Sequence, residues 1–176
     1  MNAILCGMMG SGKTTVGVKI AEKTGRRWYD TDEVIADRYG KISDIFEYYG
    51  EEYFRKIETN IVRELSSKDG LIISSGGGLV LKEENTKLLK KNGVIVFLRA
   101  TKETLAKRLK VDGTRPLLQA KTESILDRLD KLLKERTPVY ESVADFTVDV
   151  DGKTPSEIAD EIITAIRNAY KGAGTR

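Results

Sequence analysis

The chain has 176 residues, 40% of them apolar, and its 30 basic against 27 acidic side chains leave a formal net charge of only +3. That length fits one domain burying about 70% of the surface its unfolded chain exposes, and so even a charge balance leaves no nucleic-acid footprint. With no histidine and a single cysteine, a zinc site, an internal disulfide and a His-based general base are excluded, so proton abstraction falls mainly to carboxylates or lysine.

In chain order, Ala3-Ile4-Leu5-Cys6 is a short apolar run suited to a buried parallel strand, with Cys6 a small hydrophobe within it. Gly7-Met8-Met9-Gly10-Ser11-Gly12-Lys13-Thr14 follows, and Val16, Ile20 and Ala21 then fall on one face of a helix that ends near Thr24-Gly25. Arg27 to Asp30 reads as a second strand. Helical patterns cover Asp32 to Tyr39 and Ser43 to Tyr49, and a longer helix carries Phe54, Ile57, Ile61 and Leu65. Leu71 to Ser74 is a third strand, running into Gly76-Gly77-Gly78. A helix from Lys82 to Lys91 stops at Gly93; its Lys87, Lys90 and Lys91 alternate with leucines and read as a solvated face. Strand Val94 to Leu98 precedes a helix capped by Thr101 and running through Leu109.

Residues 111–121 break the pattern with Gly113, Pro116 and the Leu117-Leu118 pair, and form a candidate lid. Ile125, Leu129, Leu132 and Leu133 mark the next helix, and Phe146 to Val150 a fifth strand. Thr154-Pro155-Ser156-Glu157 is a capping box with proline at the first helical position, opening a last helix with Ile158, Ile162, Ile163 and Ile166. The tail Gly172–Arg176 is expected to be loose. Strands alternating with helices imply an α/β fold with a five-stranded parallel sheet covered on both faces, its site at the carboxyl ends of the strands. Only six residues precede the glycine loop, leaving no room for a signal peptide, and no apolar run reaches membrane-spanning length. The expectation is a soluble, cytoplasmic single domain with no membrane or nucleic-acid partner.

Glycine, four residues, then Gly-Lys-Thr is the spacing with which a backbone wraps phosphate. Gly7, Gly10 and Gly12 allow conformations that a Cβ would block, turning N–H groups inward at a helix N-terminus that favours negative charge. Gly10, Ser11, Gly12, Lys13, Thr14 and Thr15 are the candidate nucleotide contacts, with Lys13 over the β and γ phosphates and the Thr14 hydroxyl on Mg²⁺. Asp30 and Asp32 end the second strand on the same edge of the sheet. One of them is suited to orient metal-bound water and the other to accept the proton of an attacking hydroxyl; the alternative, that Asp32 merely caps the next helix, weighs less beside a phosphate loop. Arg55 and Glu58 share a helix face, either as a surface ion pair or as part of a site. Gly76-Gly77-Gly78 is a plain turn or a place where a small ligand approaches the backbone closely. Arg115 in the candidate lid and Arg136 in Glu135-Arg136-Thr137-Pro138 are exposed arginines or, respectively, a group that swings onto a transferring phosphoryl and a fork for a substrate carboxylate.

Six motifs in this order and spacing, MMGSGKTTVG, WYDTD, FRKIE, SSGGG, RPLL and ERTPVY, resemble the shikimate kinase family over about residues 2–170. The resemblance implies the three-layer sandwich of the P-loop nucleoside monophosphate kinases, with a lid and a helical substrate-binding region at about 31–66. It implies transfer of the γ-phosphoryl group of ATP to the 3-hydroxyl of shikimate with Mg²⁺, a step towards chorismate and the aromatic amino acids. Carried over by motif, Lys13 and Thr14 match the phosphate and metal positions, and Asp30 an aspartate that holds Mg²⁺ through water. Asp32 matches the aspartate that binds the substrate hydroxyls and serves as base. Arg55, Gly76, Gly77, Gly78 and Arg136 match the shikimate site, Arg115 a lid arginine and Arg108 a residue that packs on adenine. A monomer working on ATP and shikimate alone is expected. Ala36 departs from the acidic residue frequent after the DTD segment, a peripheral position, and the loop at 151–154 carries no assigned contact. A gluconate or nucleotide kinase on the same scaffold is the near rival; a GTPase is disfavoured by the absence of Asn-Lys-x-Asp.

Overall fold

Every side chain from Ala3 to Cys6 is fully buried, and successive residues of a strand point to opposite faces, so this strand must be covered on both sides. The computed structural model describes residues 1–112 and 124–173, and in it this strand, β1 (Asn2–Cys6), is the centre of a parallel sheet. The remaining elements are α1 (Lys13–Thr24), β2 (Trp28–Asp30), α2 (Thr31–Tyr39), α3 (Ile42–Ser66), β3 (Ile72–Ser74), α4 (Glu83–Lys90), β4 (Gly93–Arg99), α5 (Lys102–Asp112), α6 (Ile125–Val143), β5 (Phe146–Asp149) and α7 (Pro155–Ala173). The five strands lie in the order β2-β3-β1-β4-β5, all pairs parallel. Helix α1 packs on α7 and β3, while α4 and α6 lie against β4 and α3 runs along α4. Fully buried Ile4, Leu5, Ile72 and Leu98 join the layers, each contributing about 1.5–3 kcal/mol of burial.

Parallel register brings the carboxyl ends of the strands to one edge: Leu5 pairs with Ser74, and Asp30 pairs with Ser74 from the other side. The glycine loop, the Asp30–Asp32 segment and the glycine turn at 76–78 leave from that edge and face one another. The sheet and strand order therefore place the expected motifs together.

Several expectations shift in detail. Gly93 is the first residue of β4, not a stop before it; an added Cβ would sit 2.3 Å from Ile4 Cδ1, so close packing against β1 calls for glycine there. The two helices read at 43–49 and beyond join as α3, with Gly50 at φ 79° and ψ 173° marking the break between them. A 3-10 turn at Leu79–Leu81, unmarked in the pattern, follows the glycine turn. Helix α7 continues through Gly172 to Ala173, so the start of the expected tail is helical. The capping box is made: the Glu157 N–H donates to Thr154 Oγ1 at 3.3 Å, and the Thr154 N–H donates to Glu157 Oε2 at 2.7 Å. Among the described residues no helix is long and apolar enough to cross a membrane. Arg115 and residues 113–121 of the candidate lid lie outside the described residues.

Candidate active site

Helix α1 starts at Lys13 from Gly12, whose φ of 96° only glycine adopts readily, and no side chain caps it. Its first-turn N–H groups are thus left for an anion, with no acidic residue in that turn to compete. Gly7 and Gly10 also take positive φ, 140° and 80°. The Lys13 ammonium arches back over the loop and donates to the Gly7 and Met8 carbonyls, both at 2.9 Å. Arg108, from α5, closes the other side, its Nη1 donating to the Gly10 and Ser11 carbonyls at 3.2 and 3.1 Å.

At the end of β2 the two aspartates separate in role. Asp30, not Asp32, caps α2: its Oδ1 accepts from the Asp32 N–H at 3.0 Å, while its Oδ2 accepts from the Thr14 hydroxyl at 2.8 Å. The Asp32 carboxylate instead reaches the glycine turn, and a Cβ on Gly76 would stand 2.5 Å from its Oδ1. Lys13, Thr14, Asp30, Asp32, Gly77 and Arg108 line one cleft of about 540 Å³, within the range of small-molecule sites. A second hollow of about 450 Å³ is lined by Thr104, Lys107, Arg108 and Gly152. There the unassigned loop is tied down, Asp151 accepting from the Thr101 hydroxyl at 2.9 Å and from its N–H.

The other half of the site surrounds the glycine turn. A Cβ on Gly78 would lie 2.9 Å from Arg55 Nη1, and one on Gly77 would lie 3.7 Å from Arg136 Nη1. None of these three glycines has a positive φ. Gly76 and Gly78 are small because Asp32 and Arg55 crowd against them, while Arg136 lies at ordinary contact distance from Gly77. This sharpens the expectation of a ligand approaching the bare backbone: much of the space is taken by the protein's own charged groups.

Arg55 is held by two carboxylates, Nη1 donating to Glu58 Oε2 at 2.6 Å and Nη2 to Glu51 Oε1 at 2.9 Å. Glu58 is only 2% exposed, so the pair is not the surface bridge its spacing also allowed. Burial raises the Glu58 pKa, against the opposing pull of Arg55. Burial also works against the charge on Arg55, but its two carboxylate partners outweigh it and its pKa is raised. Arg136 carries a buried Nε that no protein atom accepts from. An orphaned guanidinium donor costs free energy unless a ligand satisfies it, and a carboxylate matches its geometry.

Sequence reasoning left Glu58 open and gave no role to Tyr140 and Ser74, although both lie inside the motifs ERTPVY and SSGGG. Glu58 was visible at three residues from Arg55, but its burial was not. Tyr140 lies four residues after Arg136 on one helical face, and its hydroxyl donates to the Gly77 carbonyl at 2.5 Å. Ser74 Oγ donates to the Lys13 carbonyl at 2.9 Å and accepts from Trp28 Nε1 at 3.0 Å, a link no motif signalled.

The sequence model of the shikimate kinase family matches residues 9–167. The chain belongs to the shikimate kinase family. A shikimate kinase of Thermodesulfovibrio yellowstonii is 45% identical over 172 residues, 97% of this chain and 98% of its own. One of Caldicellulosiruptor bescii is 46% identical over 164 residues, 93% and 94% of the two chains. Among solved structures, shikimate kinase from Acinetobacter baumannii in complex with shikimate superposes with a TM-score of 0.89 at 37% identity, covering 96% of this chain and 93% of that one. Family membership makes the chain an ATP-dependent kinase acting on shikimate.

Proposed function

We propose that the cleft transfers the γ-phosphoryl group of ATP to the 3-hydroxyl of shikimate, with Asp32 as base and Arg55 and Arg136 as the acceptor's anchors. The observation that carries this assignment is the convergence of those three side chains on one glycine turn, directly across from the phosphate loop. Shikimate carries one carboxylate and three hydroxyls. Arg136, with an unsatisfied Nε, takes the carboxylate, and Arg55, oriented by Glu58, takes a second oxygen edge. Gly76, Gly77 and Gly78 leave room for all of these groups beside the acceptor. Asp32, the carboxylate among them, accepts the hydroxyl proton as the oxygen attacks phosphorus.

On the donor side, the first-turn N–H groups of α1 from Gly12 through Thr15, with Gly10, Ser11 and Lys13, hold the β and γ phosphates. Arg108 faces the hollow it shares with Thr104, Lys107 and Gly152, where its guanidinium plane suits a purine. Arg115, with the rest of the candidate lid, is assigned to the transferring group by its motif.

Mg²⁺ fits the residues present. The Thr14 hydroxyl and Asp30 carboxylate are hard oxygen donors 2.8 Å apart beside the cradle, the ligand chemistry this ion takes. Among the described residues no group of three acidic, Cys or His side chains could cage a metal, which suits an ion that retains water and phosphate oxygens. Bound there, it would neutralise charge on the β and γ phosphates. Thr14 would hold it directly and Asp30 through water. A monomer acting in the cytoplasm is part of this reading.

Coupled ADP-release assays with shikimate, gluconate and nucleoside monophosphates as acceptors test the reading. Turnover with shikimate and Mg²⁺ and none with the others is the expected result; release of ADP with gluconate or a nucleotide in place of shikimate overturns it.

A further inference from the structure

Three glycines in succession make the most conformationally free stretch of a backbone, yet residues 76–78 must hold still if Asp32, Arg55 and Arg136 are to keep their spacing. Gly76 is held at both ends, its N–H donating to Thr31 Oγ1 at 2.8 Å and its carbonyl accepting from the Leu79 N–H at 3.1 Å. The Gly78 carbonyl accepts from the Leu81 N–H at 3.2 Å. Between them the Gly77 carbonyl is held by the Tyr140 hydroxyl.

Tyr140 is wholly buried, with its ring tilted against Phe97 at 5.1 Å between centroids. Burial pushes its pKa up to about 12, so it remains a neutral donor throughout the working range. A backbone carbonyl only accepts, and the phenolic proton must therefore point at Gly77. Among the described residues there is no cis peptide, and a trans peptide is planar, so gripping the Gly77 carbonyl also fixes the direction of the Gly78 N–H. Arg136 sits one helical turn before Tyr140, and its charge and a side-chain hydrogen bond act on the phenol. On the far side the turn abuts the phosphate loop: a Cβ on Gly77 would be 3.7 Å from the Gly7 oxygen, and the Tyr140 oxygen lies 3.8 Å from Met8 Sδ.

We propose that Tyr140 is a positioning residue for the acceptor, its hydroxyl clamping the Gly77–Gly78 peptide between Arg136 and the phosphate loop so that shikimate meets a preformed pocket. The proposal rests on the assignment of Arg136 and the glycine turn to the acceptor. A clamp of this kind acts on shikimate without acting on the nucleotide, because the phosphate cradle is held by its own contacts. Its loss should therefore appear in one substrate only.

Tyr140→Phe removes a single oxygen and keeps the ring against Phe97. Shikimate Kd by calorimetry and shikimate KM should rise about three- to tenfold, the effect of one neutral hydrogen bond, with KM for ATP unchanged. The nucleotide response of Trp28, the one tryptophan in the chain, reads the phosphate loop through Ser74 and Lys13 and should match the wild type. Phe97→Leu, which loosens the ring but keeps the hydroxyl, should raise the shikimate Kd less than Tyr140→Phe does. An unaltered shikimate Kd in Tyr140→Phe, an equal weakening of ATP, or an equal rise in Phe97→Leu overturns the clamp. If Tyr140→Phe does not fold, 4-aminophenylalanine against 4-methylphenylalanine at position 140 makes the same comparison, the amine expected to preserve the Kd and the methyl to raise it. Wild-type protein that fails to bind shikimate in the same calorimeter sinks the acceptor assignment itself; wild-type binding with an unperturbed variant sinks only the role of Tyr140.

Discussion

The phosphate loop and the turn at 76–78 are both rich in glycine, but glycine answers a different demand in each. At Gly7 the backbone itself demands it: φ is 140°, and a Cβ would stand 2.7 Å from the Leu98 carbonyl oxygen. At Gly76 and Gly78 the backbone is ordinary, and the demand comes from Asp32 and Arg55, which arrive from β2–α2 and α3 to fill the space. The phosphate cradle is thus written in one contiguous segment. The acceptor half exists only once four distant elements have packed.

The largest test of this division is chemical. Asp32→Asn keeps the shape of the acceptor half but removes the proton acceptor, and kcat should fall by about 10² to 10⁴ with ATP affinity retained. Near-normal turnover by the folded variant would move the base elsewhere. Next come the glycines themselves. Gly7→Ala puts strain into the backbone of about 1–3 kcal/mol and should lower the melting temperature. Gly76→Ala pushes against the end of a side chain, so it should melt close to the wild type while losing shikimate turnover by displacing Asp32. Equal melting losses in both variants, measured by calorimetry, would erase the distinction.

The same division explains what could be read from the residues alone. The strand-loop-helix at 3–24 follows local rules, and the glycine loop and the helix that starts from it were legible as such. The sheet was legible because parallel strands are buried on both faces and read as apolar runs. Asp30 and Asp32 were located, but which of them caps α2 depends on a side-chain rotamer that no pattern encodes. Glu58 and Tyr140 were hidden for a further reason. A glutamate three residues from an arginine looks the same whether the face is wet or dry, and a tyrosine in an amphipathic helix looks like core until its hydroxyl finds a partner 63 residues away.

Arg136→Lys sharpens the acceptor half at smaller amplitude. The charge survives but the planar fork does not, so shikimate KM should rise about tenfold, in line with the loss of one charge-assisted hydrogen bond, while KM for ATP holds. An unchanged shikimate KM in steady-state assays would place the carboxylate on another group.

The smallest effect lies outside the cleft, where Arg38 of α2 and Lys68 beyond α3 share Glu64. Arg38 Nη1 donates to Glu64 Oε2 at 2.5 Å and Lys68 Nζ to Oε1 at 2.8 Å, and these bonds pull the Glu64 pKa from an ordinary 4.5 down to about 2. A carboxylate whose folded pKa is depressed adds stability that is present above its unfolded pKa and disappears as pH falls towards the folded one. The shift taken at face value overstates the gain, because all three side chains are more than a third exposed and water and salt screen them, leaving about 1 kcal/mol at most. Glu64→Gln should therefore lower the melting temperature by roughly 2–4 °C or less at pH 7, and the gap should close between about pH 4.5 and pH 2. A gap that persists undiminished at pH 2 would mean that Glu64 joins α2 to α3 by packing and not by charge.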